Sequence, residues 1–110
     1  MEKVIGKRVS VKVDRPLGSR HPRYPDLRYP VNYGYVPGIP GGDGEEQDAY
    51  VLGVDALVER FEGRIIAVIH RLDDAEDKWV VAPAGRGFTK EEIAEATMFQ
   101  ERFFRSWIEL

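Results

Sequence analysis

The stretch Arg8-Val9-Ser10-Val11-Lys12-Val13 alternates polar and apolar residues, which predicts a strand with one wet face. Pro16, Gly18, Pro22, Pro25 and Pro30 then interrupt the chain, so residues 14–42 read mostly as loop and turn. Ala49 to Val54 is a short apolar run suited to a buried strand. Ala56 to Phe61 alternates again, and Gly63 follows as a hairpin turn into a further strand, Arg64 to Arg71. An acidic turn over 73–77 leads to a last strand, Lys78 to Pro83. Beyond Phe88 the period changes. Thr89 and Glu92 match a capping box, with Phe88 and Ile93 at the staple positions on either side. Ile93, Ala96, Phe103, Trp107 and Leu110 then share one face of a helix expected over 90–108. Short strands and one terminal helix predict a mainly β domain. Its simplest form is a small closed β-barrel over residues 1–88, with an α-helix over 89–110 packed on it.

Composition narrows the class. At 110 residues the chain is long enough for one core and too short for two. Apolar residues make up 43%, enough for an ordinary globular fold, and there is no cysteine for a disulfide or a thiolate. No apolar run suits a signal peptide or a membrane span, so a cytoplasmic location is the default expectation. A net charge of −3 argues against a nucleic-acid partner, which would need a basic face. The sequence leaves oligomeric state open, a homo-oligomer included.

Charge is unevenly placed. Lys7, Arg8, Lys12, Arg15, Arg20, Arg23 and Arg28 crowd the first thirty residues, and acids dominate from Asp43 to Asp77. Two such halves facing each other would hold a small polyanion between cations and a metal, although solvated loops are the blander reading. Asp43, Glu45, Glu46 and Asp48 are the densest acids, and they follow directly on the aromatic segment Tyr29-Pro30-Val31-Asn32-Tyr33-Gly34-Tyr35. Carboxylates so close repel unless solvent or a hard cation separates them, and Mg²⁺ suits an all-oxygen donor set. Taken on their own, Tyr29 and Tyr35 read as packing residues, Pro30 and Gly34 as turn residues, Trp79 and Trp107 as core, and His21 and His70 as structural or surface groups.

The same aromatic segment, followed by Asp43-Gly44-Glu45-Glu46-Gln47-Asp48, resembles the soluble family I inorganic pyrophosphatases. Two further blocks agree in order: Asp14 to Tyr24, and the strand, acidic loop and strand from Ile65 to Pro83. The resemblance implies an OB-like barrel whose mouth binds Mg²⁺, with Mn²⁺ as an option, together with pyrophosphate, which it hydrolyses to orthophosphate through metal-activated water. It implies that Asp43, Glu45 and Asp48 act in the metal site, with Asp48 nearest the nucleophile. It also gives Asp73 or Asp74, and Glu76 or Asp77, as further ligands. Arg23 and Lys78 match phosphate-holding cations, Tyr33 a site phenol, and Asp14 a carboxylate at or behind the metals.

The departures are specific. Glu45 stands where the family has Asp, and Pro25 replaces a Glu. The chain between Tyr24 and Tyr29 is short, which removes a hairpin bearing a phosphate-binding Arg that Arg28 could replace. A Tyr-Lys pair expected on the helix falls near Phe103, Phe104 and Arg105. Two alternatives therefore stand beside pyrophosphate hydrolysis. One is hydrolysis of another phosphoanhydride in a more open cleft; the other is a non-catalytic domain that binds metal, phosphate or a partner.

Overall fold

The structure, a computed structural model, describes residues 3–110; Met1 and Glu2 of the N-terminal segment lie outside it. Six strands and one helix follow in chain order: β1 (Arg8–Arg15), β2 (Asn32–Pro40), β3 (Glu46–Val51), β4 (Arg60–Arg71), β5 (Lys78–Ala82), α1 (Lys90–Glu101) and β6 (Ser106–Glu109). The sheet runs β1-β2-β3-β5-β4-β6, and a further pairing of β1 with β4 closes the first five strands into a barrel. All pairs are antiparallel except β3 with β5. The expected mainly β barrel with a C-terminal helix is the observed fold.

Alternation along the strands creates two separate cores. Val11, Val13, Val36, Ala49, Val51, Ile65 and Val81 come from all five barrel strands and fill the interior. Tyr33, Tyr50, Ala67, Ile69 and Val80 point the other way and pack against Tyr29 and against Ile93 of α1. The helix thus covers an outer wall of the barrel. Its start is as expected: Thr89 Oγ1 accepts from the Glu92 amide at 3.1 Å, and Glu92 Oε1 accepts from the Thr89 amide at 2.8 Å.

Three expectations are corrected. The expected loop over 14–42 contains β2, whose alternation is obscured because Pro37 and Pro40 fall in its exposed, irregular half. Gly34 is therefore a strand residue and not a turn: a Cβ there would lie 1.9 Å from the Lys12 carbonyl oxygen of β1. Gly63 makes no hairpin either. It lies inside the continuous strand β4, where a Cβ would meet the Ala82 carbonyl oxygen at 2.4 Å and the Phe61 ring at 2.5 Å. Residues 56–59 accordingly form no strand.

The third correction concerns the C-terminus. The helix stops at Glu101, and Ser106–Glu109 forms β6 against β4. Strand β4 outruns β1, leaving the backbone edge of residues 68–71 available, and pairing satisfies those groups. Trp107 and Phe103, read as helical core, are instead 51% and 63% exposed. Trp107 stacks on His70 with ring centroids 4.4 Å apart.

Candidate active site

A cavity of about 850 Å³ opens on the helix-covered outer wall of the barrel, away from the interior core. Strand alternation explains its chemistry. Asp48 shares the outer face of β3 with Tyr50, Lys78 that of β5 with Val80, and Arg71 continues the Ala67 and Ile69 face of β4. Polar side chains thus extend the same rows that pack under the helix. Asp14 and Arg15 join from the end of β1, at the register break with β2, and Tyr33 joins from β2.

Lys78 organises the acids. Its buried ammonium donates to Asp48 Oδ2 at 2.6 Å and makes a short contact with Glu76 Oε1, and it lies 5.8 Å from the centre of the Tyr33 ring. Burial works against its charge, but Tyr33, Asp48 and Glu76 more than offset this and hold its pKa above the ordinary lysine value. Burial also raises the Tyr33 pKa, so its phenol keeps its proton at neutral pH. Arg15 sits 5.8 Å above the same ring and donates to the Tyr29 hydroxyl at 2.7 Å.

Glu76 and Asp43 form a carboxyl pair. Burial and the hydrogen bond it donates to Asp43 raise the Glu76 pKa, and accepting that bond lowers the pKa of Asp43. Two carboxylates at this range must share a proton or a cation. Asp14, at the rim, has its pKa raised because neighbouring protein displaces part of its water, with Arg15 opposing. Asp48 adds to the crowding by raising both Glu76 and Asp14. Among the described residues no three acidic or imidazole side chains already form a metal cage, since Lys78 occupies the space between Asp48 and Glu76. The carboxylates gathered here are oxygen donors of the kind Mg²⁺ takes, and Lys78 already supplies one positive charge between Asp48 and Glu76.

Of the residues singled out in the sequence, Asp14, Tyr33, Asp48, Glu76 and Lys78 line this cavity, and Asp43 adjoins it through Glu76. The others are placed differently. Asp43 Oδ1 accepts from the Glu45 amide at 3.0 Å, in a turn whose Glu45 side chain is exposed. Arg23 and Arg28 are exposed on a short hairpin closed by the Arg20–Arg28 bridge. Asp73 accepts from the Arg105 amide. Asp77 lies 3.0 Å from His70 Nδ1, and Glu109 lies 2.7 Å from Nε2 of the same ring.

Other residues were not foreseen. Arg71 is buried, donates to Glu101 through Nε (3.0 Å) and NH2 (2.7 Å), pairs with Asp74 at 2.9 Å and lies 3.6 Å above the Phe104 ring. Tyr50 donates to Glu101 at 2.6 Å, Gln100 to Tyr50 at 2.7 Å, and Tyr29 to Gln100 at 3.1 Å. This chain of bonds ties the end of α1 to the cavity floor. Asn32 is a latch: its side chain accepts from the Leu17 amide at 2.9 Å and donates to the Ala56 carbonyl at 3.0 Å.

A profile of the inorganic pyrophosphatase family matches residues 5–105. No curated protein matches the chain. Among solved structures, the inorganic pyrophosphatase of Neisseria gonorrhoeae superposes with a TM-score of 0.66 at 24% identity, covering 88% of this chain and 73% of that one. That of Coxiella burnetii gives 0.66 at 18% identity, covering 97% and 84%. That of Thermus thermophilus gives 0.64 at 19%, covering 98% and 84%. At these identities the superpositions speak for the fold alone, and membership rests on the profile, which spans nearly the whole chain. The chain belongs to the inorganic pyrophosphatase family, whose members are hydrolases of pyrophosphate.

Proposed function

We propose that this chain hydrolyses inorganic pyrophosphate to two orthophosphates at the outer-wall cavity, with Mg²⁺ held by Asp48, Glu76 and Asp43. The observation that carries the proposal is the buried Lys78 ammonium gripping Asp48 and Glu76 on a cavity wall that also bears Tyr33 and Arg15. A bound Mg²⁺ supplies charge neutralisation on the phosphoryl oxygens and lowers the pKa of a water molecule.

The chain's own residues do the rest. Lys78 stays protonated and binds phosphoryl oxygens, while Arg15 offers a planar guanidinium on the same wall. Tyr33 keeps its proton and donates a hydrogen bond to a non-bridging oxygen. Asp48, half-buried, accepts the proton of the attacking water at a carboxylate oxygen. Asp14 at the rim orders water and tunes the field of Asp48. Arg15 takes the part first given to Arg23, because it lies on the wall.

Calorimetric titration with Mg²⁺ or Mn²⁺, alongside orthophosphate release from pyrophosphate, tests the reading. Binding that weakens about tenfold or more in Glu76→Gln, together with metal-dependent release, is expected for a lost charged ligand. Absence of both binding and release from neutral to alkaline pH would overturn it.

A further inference from the structure

Pyrophosphate is small and wholly polar, and the cavity is larger and more aromatic than such an ion requires. Its volume of about 850 Å³ falls within the range of roughly 300–1,000 Å³ that holds drug-sized organic ligands. The ionic cluster of Lys78, Asp48 and Glu76 lies on the strand wall. The walls made by the hairpin of residues 18–29 and by the end of α1 present Tyr24 and Phe103, which are 59% and 63% exposed. Both rings are supported. Tyr24 lies 5.2 Å from His21, which in turn stacks within 6° of parallel on buried Tyr29. The Arg102 guanidinium sits 5.0 Å over the Phe103 ring. Supported flat rings that stay in solvent inside a cavity are surfaces on which a planar group can stack.

We propose that the cavity accepts a nucleoside diphosphate, with its diphosphate on the Lys78 wall and its base against Tyr24 and Phe103. The inference rests on the phosphate-binding reading of that wall and extends the substrate class from a bare ion to an ester. Asp26 and Arg102 line the same walls, and they suit the polar edge of a base, whereas an aliphatic chain gains nothing from them. Hydrolysis follows the same balance as for pyrophosphate. The water oxygen forms a bond to the terminal phosphorus, and the bond from that phosphorus to the bridging oxygen breaks. The nucleoside monophosphate leaves with the electron pair, and the water's proton passes to Asp48 and then to solvent.

The test compares two non-hydrolysable probes by calorimetry in the presence of Mg²⁺: methylenediphosphonate, and adenosine diphosphate with a methylene bridge. Stacking of one base predicts that the nucleoside probe binds roughly ten- to hundredfold more tightly. Phe103→Ala and Tyr24→Ala should reduce that advantage and leave methylenediphosphonate binding within about twofold. Both positions are exposed, and circular dichroism checks that the variants fold. Equal binding of the two probes, equal losses in the variants, or an equal gain from an alkyl-substituted diphosphonate would overturn the inference. Failure of both probes to bind removes it together with the pyrophosphatase reading. A nucleoside advantage without pyrophosphate turnover sinks only the hydrolytic reading and upholds the binding inference.

Discussion

Lys78 carries the charge balance of the site, because it is buried at 3% side-chain exposure between two carboxylates that repel each other without it. Lys78→Met should therefore cost about 1–3 kcal/mol of stability in urea unfolding without metal, the range for stranded polar partners. It should also lower kcat/KM for pyrophosphate about a hundredfold or more, as loss of one preorganised charge donor does. Added Mg²⁺ should restore part of the stability and little of the rate. At this scale much of the candidate cavity's lining was legible in the sequence. Asp48, Tyr33 and Lys78 sit in motifs with fixed spacing, so their types and positions were readable. Arg15, Arg71 and Glu101 were not, because their partners are distant in sequence: Arg71 meets Glu101 across 30 residues. The one available signal was the period-2 row Ala67, Ile69, Arg71, which puts an arginine on a buried face.

At the scale of elements, close strand approach governs what the sequence hides. Gly34 and Gly63 look like turn formers, but each permits contact between backbones in the barrel wall. Gly63→Ala should destabilise the protein by about 1–3 kcal/mol through overpacking against Ala82 and Phe61. Gly34→Ala should cost more, since the obstacle at 1.9 Å is the backbone carbonyl of Lys12. Thermal melts that rank Gly34→Ala as the milder change would contradict this account of the wall. The helix start was legible because capping is local chemistry. Its end was not: Phe103, Trp107 and Leu110 keep a helical period, yet the free edge of β4 recruits residues 106–109 as a strand. That edge is set by tertiary pairing, since β1 covers only residues 60–64 of β4.

In the whole molecule, the helix is fastened to the barrel through the Arg71 network, which joins β4, the acidic loop and α1. Arg71→Met should strand the nearly buried Glu101 and cost about 3–5 kcal/mol. The pH dependence follows from Asp74: burial raises its pKa, but hydrogen bonds from Arg71 and the Ala75 amide, with the attraction to Arg71, outweigh this and hold it below the ordinary 3.8. A depressed folded-state pKa favours the fold fully above the unfolded value, and that contribution disappears as pH falls through the folded one. Asp74→Asn should therefore flatten the acid limb of a stability–pH curve below about pH 4 and leave its shape above pH 5 unchanged. An unaltered acid limb would show that the pair contributes nothing.

All three scales meet at Asp48, where β3 supplies the face, Lys78 the counter-charge and the helix-covered wall the enclosure. The decisive measurement is orthophosphate release from pyrophosphate with Mg²⁺, comparing the native chain with Asp48→Asn prepared in parallel and shown to be folded. The account predicts metal-dependent turnover that falls by roughly 10²–10⁴ in the variant, the scale of a lost general base. Turnover of equal size in both proteins, or none in either, would contradict it.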